Sequence, residues 1–392
     1  MRDVVILGAA RTPVGRFQGG LAGVAAPRLG AIAIAEAVRR AGLAAEDVDE
    51  VIMGNVLSAG LGQAPARQAT LHAGLPTAVR ATTINKMCGS GLKAVMLAQQ
   101  AIAVGDADVI VAGGMENMTA SPYLLERARA GYRLGDDRIV DTILRDGLND
   151  AYQNIHMGNC AEILAREYRI SRSEQDDYAK LSYTRAITAM DGGTAAEEII
   201  PVEVAQAKGP ATVVGEDEEP RRVNFEKIPT LRPVFEEGGT VTAANASSIS
   251  DGAAAVVVAA AETAKQRGWR PLARIAGQAG AAMAPEWFTI APAHATKTLL
   301  ERVGWTTSDV DLIEINEAFA AVVIGVCRDL GVGYERVNVH GGAVALGHPI
   351  GASGARILTT LLHAMPRFEA RRGVASICLA GGEAVALAVE RL

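Results

Sequence analysis

The chain has 392 residues, more than a single core of ordinary size contains, so two or three domains are expected. Apolar residues make up 49% and aromatic residues only 4%, so the cores must be built from aliphatic side chains and alanine. The formal net charge of −6 argues against nucleic acid as the main partner, and no apolar run is long enough to cross a membrane.

The amino terminus and the cysteines favour a cytoplasmic protein. Residues 4–7 are typical of a buried strand, so no signal peptide is predicted. The four cysteines are far apart in the sequence, and none lies in a CxxC pattern. Neither a disulfide framework nor a metal site is therefore expected. In a reducing compartment these thiols are free and become candidates for chemistry.

Strand-like and helix-like segments alternate along the first third of the chain. The predicted strands are 4–7, 51–56, 82–85 and 109–112, and the predicted helices are 28–41, 64–73 and 89–104. Gly42 is placed to end the first helix. This alternation predicts an α/β domain with mostly parallel strands.

The segment 119–248 has a different character, because it is more charged and more irregular. Its helical pattern at 172–189 is the clearest regular element. We interpret this segment as an inserted domain that covers the core. Residues 1–118 together with 249–270 would then form an N-terminal half, and 271–392 a C-terminal half.

The two halves share a short pattern. In each half a turn of small residues, 88–91 or 351–354, opens a predicted helix. A strand then leads to a pair of glycines, Gly113-Gly114 in the first half and Gly381-Gly382 in the second. The shared order of turn, helix, strand and Gly-Gly indicates a duplicated unit.

Cys88 is the first candidate for catalysis. It is followed by Gly89, Ser90 and Gly91 at the start of a predicted helix. Unpaired N–H groups and the helix dipole lower the pKa of a thiol at such a position, and the thiolate is the nucleophile. The alternative is a buried cysteine that packs as a small apolar side chain.

His348 is the second candidate. It lies in the glycine-rich segment 341–354, between Gly347 and Pro349, which shape the backbone around it. A histidine in such a loop can reach a ligand or activate a thiol. Taken alone, a histidine that is bonded to the backbone is the commoner situation, and the density of glycines favours function.

Cys378 and Asn316 are further candidates, each with an alternative. Cys378 ends an apolar strand before the second glycine pair and could act as an acid or base, or pack in the core. Asn316 follows a predicted strand and could hold a water or an oxyanion, or cap a helix. Cys160 and Cys327 lie on helical patterns and are interpreted as packing residues. No glycine-rich phosphate loop occurs in a strand–helix context, which argues against nucleotide-hydrolysing and NAD enzymes.

Together these segments resemble the thiolase family over the whole chain. The matching motifs, in order, are residues 9–15, 85–91, 316–319, 341–356 and 378–382. Each motif alone is weak, whereas their common order makes the resemblance specific.

The resemblance implies a five-layered α-β-α-β-α fold of two similar halves with an inserted covering domain. It also implies a cofactor-free acyl transfer between CoA thioesters that makes or cleaves acetoacetyl-CoA or another 3-ketoacyl-CoA. Cys88 would take the acyl group, His348 would accept its proton, and Cys378 would move the α-proton of the second substrate. Asn316 would hold a water that forms one oxyanion hole with His348, and the N–H groups of Cys88 and Ala380 would form the other.

A substrate channel through the covering domain is implied as well. His156 and Met157 would line the acyl pocket, and Ser247 would bond the pantetheine amide. Arg221 and its neighbour Arg222 would approach the adenine and phosphates of CoA. The other matched channel positions are Leu148, Phe235, Ala243, Phe288 and Phe319.

Family members are dimers or tetramers, and residues 126–141 resemble a loop used for tetramer contacts. We therefore expect a homotetramer, a dimer of dimers, whose partners are acyl-CoA substrates rather than a membrane or nucleic acid.

The chain departs from the family pattern near the implied site. Ala380 stands where glycine is common, and Glu383-Ala384 stands where Met-Gly is usual. The largest departure is the segment 287–294, in which Phe288 replaces a flexible methionine. The chain-length preference therefore stays open, and a degradative thiolase of broad chain length is one alternative. Less favoured alternatives are a β-ketoacyl synthase and a non-catalytic acyl-CoA-binding protein.

Overall fold

A computed structural model describes residues 1–206 and 208–392. Residues 1–118 contain β1 (Val4–Arg11), β2 (Gly15–Arg16), α1 (Ala26–Ala41), β3 (Glu50–Gly54), α2 (Pro65–His72), β4 (Arg80–Ile84), α3 (Ser90–Val104) and β5 (Val109–Asn117). The inserted segment contains β6 (Tyr123–Leu124), β7 (Val140–Asp141), α4 (Met157–Glu167), α5 (Arg172–Asp191), α6 (Thr194–Glu198), β8 (Val202–Val204) and β9 (Thr212–Val214). The remainder contains β10 (Ser250–Ala260), α7 (Ala261–Arg267), β11 (Ala273–Ala282), α8 (Ala291–Val303), β12 (Leu312–Ile315), α9 (Ala320–Leu330), α10 (Ala343–Leu346), α11 (Ile350–Arg367), β13 (Arg372–Leu379) and β14 (Glu383–Arg391).

The main strands form one continuous sheet in the order β12-β13-β14-β11-β1-β10-β5-β3-β4. β1 joins the two halves, because it pairs antiparallel with β10 on one side and with β11 on the other. Parallel pairs lie toward the edges, where β3 contacts β4 and β5, and β12 contacts β13.

The prediction of mostly parallel strands is wrong for the centre of the sheet. β13 and β14 are joined by the short turn 380–382, and a connection of that length can only return the chain antiparallel. β10 arrives after the inserted segment and pairs antiparallel with both β1 and β5. The alternation of strands and helices in the sequence carries no information on these directions.

The strands and helices stack in five layers. α1 and α2 cover the outer face of the N-terminal strands, where Ile34 shares a core with Val111. α3 and α11 lie between the two halves, and Leu92 and Leu361 share the central core. α8 and α9 cover the outer face of the C-terminal strands around Leu299. The order α-β-α-β-α confirms the predicted fold, and each fully buried Leu or Ile contributes about 1.5–3 kcal/mol.

Arg11 fastens the inserted segment to the end of β1. Its guanidinium lies 2.7 Å from Glu198 and 2.7 Å from Asp217, both in the inserted segment. All three side chains are buried, so loss of one partner would leave an uncompensated charge. Among the described helices, none has the length and hydropathy needed to cross a membrane.

Candidate active site

A mainly apolar cavity of about 360 Å3 lies where the two halves meet the inserted segment. Residues predicted for the site that line it are Cys88, Leu148, His156, Met157, Phe235, Ala243, Ser247, Phe288, Phe319, His348 and Ala380. These side chains come from distant parts of the sequence. The fold therefore brings the candidate nucleophile, the candidate base and the residues of the implied channel to the lining of one cavity.

Cys88 lies in a tight turn between β4 and α3. The preceding residue, Met87, has a left-handed backbone with φ of 47°, which is strained for a side chain of this type. Asn85 Oδ1 accepts the Met87 N–H at 2.9 Å. Ser90 Oγ accepts the Lys86 N–H at 2.8 Å and donates to the Met87 carbonyl at 2.6 Å. These local bonds hold the strained turn in place and so fix the direction of the Cys88 side chain.

Gly89 and Gly347 allow the segments that carry Cys88 and His348 to pack closely against their neighbours. A Cβ at Gly89 would lie 2.0 Å from Leu379 Cδ2, so the Cys88 turn packs directly on the end of β13. Gly347 has φ of 107°, and a Cβ there would lie 2.1 Å from Ser250 Oγ. Any larger residue at Gly347 would displace the backbone that carries His348.

Burial raises the pKa of the Cys88 thiol to about 12, although the backbone N–H groups of Ala380 and of Cys88 itself oppose the rise. The charge of Glu116 adds to the rise. The predicted lowering of this pKa is therefore wrong. Cys88 precedes the N-cap Gly89 instead of lying in the first turn of α3, and desolvation outweighs the two N–H groups. The resting group is a thiol that needs a base.

His348 can supply that base. Its Nδ1 lies 2.6 Å from Ser353 Oγ, while its Nε2 has no hydrogen-bond partner within the described residues. Burial, with a smaller contribution from the charge of Arg356, lowers the pKa of His348 to about 3. The imidazole is therefore neutral, and both it and Cys88 line the cavity. A neutral imidazole with a free ring nitrogen can accept a thiol proton.

Cys378 and Asn316 lie behind the cavity wall and are both fully buried. Cys378 is on β13, two residues before Ala380. Burial raises the pKa of Cys378, and the charge of Cys88 raises it further. The packing of Gly89, next to Cys88, on Leu379, next to Cys378, brings the two segments together.

Both polar atoms of the Asn316 side chain lack a hydrogen-bond partner within the described residues. The N-cap of α9 is Phe319, so the alternative that Asn316 caps this helix is wrong. A fully buried amide with free donors and acceptors is suited to hold a water or a substrate oxygen.

Aromatic side chains form one wall of the cavity. The His156 ring stacks on Phe235 with centroids 4.7 Å apart, and Phe235 meets Phe319 edge-on at 6.1 Å. A Cβ at Gly158 would lie 2.3 Å from the Phe235 ring, which explains the glycine there. His156 Nδ1 accepts the Gly158 N–H at 3.0 Å, and burial lowers the pKa of His156, so the wall is uncharged. Phe288 completes this wall and is 2% exposed.

Ser247 offers a polar group in the mainly apolar channel. Its Oγ donates to the Ala318 carbonyl at 2.9 Å. Since the hydroxyl proton is used there, the lone pairs of Oγ are left to accept an N–H from a ligand.

Arg221 is not brought to the cavity. It lies in an exposed turn and forms ion pairs with Asp191 at 2.8 Å and Glu216 at 3.5 Å. Arg222, its neighbour, is paired with Glu219 at 3.8 Å. A contact of either arginine with the nucleotide end of a substrate stays a prediction.

The cavity also has lining residues that were not among the predicted site residues. Further lining residues are Met118, Gly147, Val234, Thr242, Ala246, Ser248, Ile249, Ala318 and Ile350. Most of them lie in loops between helices and strands, where no hydrophobic periodicity marks a position as facing the cavity.

Glu116 at the end of β5 is the most informative residue that the sequence analysis missed. Its Oε2 accepts the N–H groups of Gly351 at 2.8 Å and Val56 at 3.0 Å, and its Oε1 accepts Asn55 Nδ2 at 2.7 Å. This buried carboxylate ties the start of α11 to the N-terminal half. The signal was present, since a carboxylate directly after an apolar strand needs partners when it is buried.

The chain matches the family model "Thiolase, N-terminal domain" over residues 4–262 and "Thiolase, C-terminal domain" over residues 269–391. It is 53% identical over 392 residues to the acetyl-CoA acetyltransferase of Cupriavidus necator, with 100% of both chains covered. The crystal structure of the Bacillus anthracis acetyl-CoA acetyltransferase matches with a TM-score of 0.98 and 42% identity, covering 100% of this chain and 99% of that one. The Acat5 thiolase from Ascaris suum in complex with coenzyme A matches with a TM-score of 0.95 and 42% identity over 100% of both chains. The chain therefore belongs to the thiolase family and is an acyltransferase that makes or cleaves 3-ketoacyl-CoA thioesters.

Proposed function

We propose that this thiolase is an acetyl-CoA acetyltransferase that forms or cleaves acetoacetyl-CoA, with Cys88 as the carrier of the acetyl group. The observation that carries the proposal is that one mainly apolar cavity is lined both by Cys88 and by His348, whose Nε2 has no hydrogen-bond partner within the described residues. The names of the similar proteins from Cupriavidus necator and Bacillus anthracis support the choice of acetyl over longer acyl groups.

In the first half-reaction, His348 Nε2 takes the proton from Cys88 Sγ, and the thiolate attacks the thioester carbonyl of the donor. Negative charge then develops on the carbonyl oxygen. The backbone N–H groups of Cys88 and Ala380, which favour negative charge on Cys88 in the resting protein, stabilise this charge. One such donor contributes about 3–4 kcal/mol in other enzymes. The C–S bond to CoA breaks, and the departing CoA thiolate receives the proton from His348.

In the second half-reaction, Cys378 first gives its thiol proton to the neutral His348, and the Cys378 thiolate then removes the α-proton of a second acetyl-CoA. The resulting enolate oxygen is held by His348 and by a water on Asn316, whose amide atoms are free. The α-carbon attacks the acetyl carbonyl on Cys88, the Cys88 C–S bond breaks, and acetoacetyl-CoA leaves. The departing Cys88 thiolate takes the proton from His348, which restores the resting enzyme. Thiolysis is the reverse sequence. The thioesters themselves supply the activated acyl group and the acidic α-carbon, so the proposed chemistry uses no metal or redox cofactor.

The aromatic wall supports a preference for short acyl chains. Phe288 is rigid and buried where a flexible methionine is usual in this family, and Phe235 and Phe319 are locked by edge-on packing. A longer acyl chain would have to displace these rings, and the displacement of close-packed rings costs free energy.

We further propose a homotetramer in the cytoplasm. The hairpin between β6 and β7 exposes large apolar side chains, with Leu125 53%, Leu134 100% and Ile139 63% accessible. Such a cluster is typical of a contact between subunits. Sedimentation of the wild type and of a Leu134→Asp variant tests the assembly, since only the variant should dissociate to a smaller species.

The proposed location in the cytoplasm rests on the cysteines. All four cysteines are free thiols, which suits a reducing compartment.

The acyl specificity is tested by thiolysis with free CoA across 3-ketoacyl-CoA substrates of four to sixteen carbons. The proposal predicts that kcat/KM is highest for the four-carbon substrate and falls steeply with length. Similar values from four to sixteen carbons would contradict it in favour of a broad degradative thiolase. Absence of turnover with every substrate would contradict the proposed chemistry itself.

A further inference from the structure

We propose that Ser353 is a positioning residue that determines which ring nitrogen of His348 carries the proton. The inference rests on the proposed role of His348 as the base for Cys88. It concerns a residue behind the imidazole that does not line the cavity.

Ser353 lies in the first turn of α11 and is 1% exposed. Its Oγ is 2.6 Å from His348 Nδ1 and 2.9 Å from the Pro349 carbonyl oxygen. The hydroxyl has one proton, which can be donated either to Nδ1 or to the Pro349 carbonyl, but not to both.

The two proton arrangements differ in how many buried donors they satisfy. If the hydroxyl donated to Nδ1, the proton of His348 would be on Nε2, which has no partner within the described residues. In the other arrangement, Nδ1–H donates to Ser353 Oγ and the hydroxyl donates to the Pro349 carbonyl, so that both of these buried donors have an acceptor. A buried N–H without a partner is rarer and more costly than an acceptor without one. The second arrangement is therefore the stable one.

This arrangement is also the one that the chemistry needs. With the proton on Nδ1, the Nε2 lone pair is free to take the proton from Cys88 Sγ, and the imidazolium that forms keeps its bond to Ser353. With the proton on Nε2, the ring has no lone pair on the side of the cavity. Since burial lowers the pKa of His348 to about 3, the resting ring is neutral and the choice of nitrogen matters at physiological pH.

The surroundings leave the ring little freedom to correct a wrong proton position. Gly347, with φ of 107°, and the buried start of α11 fix the backbone on both sides of His348. Glu116 holds the Gly351 N–H at 2.8 Å, and a Cβ at Gly114 would lie 2.0 Å from the Gly351 carbonyl, so this segment is tightly packed. Ser353 is thus the group that selects the ring nitrogen.

The first test measures the rate constant for acetylation of Cys88 in the full-length enzyme by rapid mixing with acetyl-CoA. Ser353→Ala should lower it about 10- to 100-fold, as for other partners that orient an imidazole, with little change in KM. Ser353→Thr keeps a hydroxyl that can bond the same carbonyl and should restore most of the rate. Thr359→Val is the matched control, because Thr359 Oγ1 also bonds a carbonyl one turn back in α11, at 2.9 Å from Ala355, and is buried.

The second test reads the proton position from 15N resonances of labelled histidine, with the His348 signal assigned by its loss in His348→Asn. The wild type should show a protonated Nδ1, and Ser353→Ala should show a shift toward a protonated Nε2. Acetylation of Ser353→Ala at the wild-type rate, a rate loss matched by Thr359→Val, or an unchanged Nδ1–H signal in Ser353→Ala would each overturn the inference. Acetylation of His348→Asn at the wild-type rate would instead overturn the proposed base, so the two failures are distinguishable.

Discussion

The Tyr178 hydroxyl donates a 2.7 Å hydrogen bond to Oε1 of Glu317, the residue next to Asn316. Ser182, also on α5, donates to Oε2 of the same carboxylate at 2.7 Å. Asn338 Nδ2 and the Val344 N–H each donate at 3.0 Å. A buried carboxylate that accepts hydrogen bonds on both oxygens is strongly held in place. The inserted segment therefore does more than cover the core, because it fixes the position of Asn316.

Glu317→Gln should lower the free energy of unfolding by about 1–3 kcal/mol, because the new amide N–H2 faces groups that are themselves donors. The carbon–carbon step should slow as well, since the hydrogen bonds of Glu317 no longer fix the position of the adjacent Asn316. Chemical denaturation and turnover measure the two effects. Glu301→Gln, on the exposed face of α8, is the control and should behave as the wild type. Equal stability of the two variants would contradict this account of Glu317.

Cys378→Ala should still form the acetyl-enzyme but should not make or break the carbon–carbon bond. The reason is that Cys378 is proposed to move the α-proton, whereas loading needs only Cys88 and His348. Intact-protein mass spectrometry after mixing with acetyl-CoA measures loading, and consumption of acetoacetyl-CoA measures the second step. Cys327→Ala, buried away from the cavity, serves as the control for loss of a core thiol. If loading fails in Cys378→Ala and persists in Cys327→Ala, the assigned roles are wrong.

Phe288→Met should raise the turnover of longer 3-ketoacyl-CoA substrates relative to acetoacetyl-CoA. The unbranched methionine side chain adapts its shape, whereas the aromatic ring does not. The measurement is the ratio of kcat/KM for six- and four-carbon substrates. An unchanged ratio would remove Phe288 from the determinants of chain length.

The alkylation of Cys88 by iodoacetamide should accelerate with pH without reaching a plateau up to about pH 9. Because burial raises the pKa of Cys88 to about 12, the thiolate fraction grows roughly tenfold per pH unit throughout this range. His348, with its pKa lowered to about 3, does not titrate there and adds no inflection. Rates are measured on the resting enzyme and compared with a simple thiol, which levels off above its pKa. A plateau near neutral pH would show that Cys88 rests as a thiolate.

Much of the fold and of the candidate site follows from local sequence. Cys88, His348 and Cys378 each stand within three residues of a glycine at the end of a predicted element, and these elements occur close to where they were predicted. The central antiparallel pairing of β10 could not be predicted, because strand direction depends on the path of the inserted segment.

The properties that depend on burial also escaped the sequence analysis. The raised pKa of Cys88 results from desolvation, which a motif does not reveal. Ser353 was visible only as a small residue in a glycine-rich turn, and its distance from His348 Nδ1 emerges once α11 is formed.

The central claim is that Cys88 carries the acetyl group, and the most direct measurement is peptide mapping by mass spectrometry after a brief reaction with acetyl-CoA. The account predicts one acetyl group per chain, located on Cys88, in the wild type. It predicts none in Cys88→Ser, because an alkoxide is far harder to form than a thiolate. Acetylation at another residue, or retained turnover in Cys88→Ser, would contradict the account.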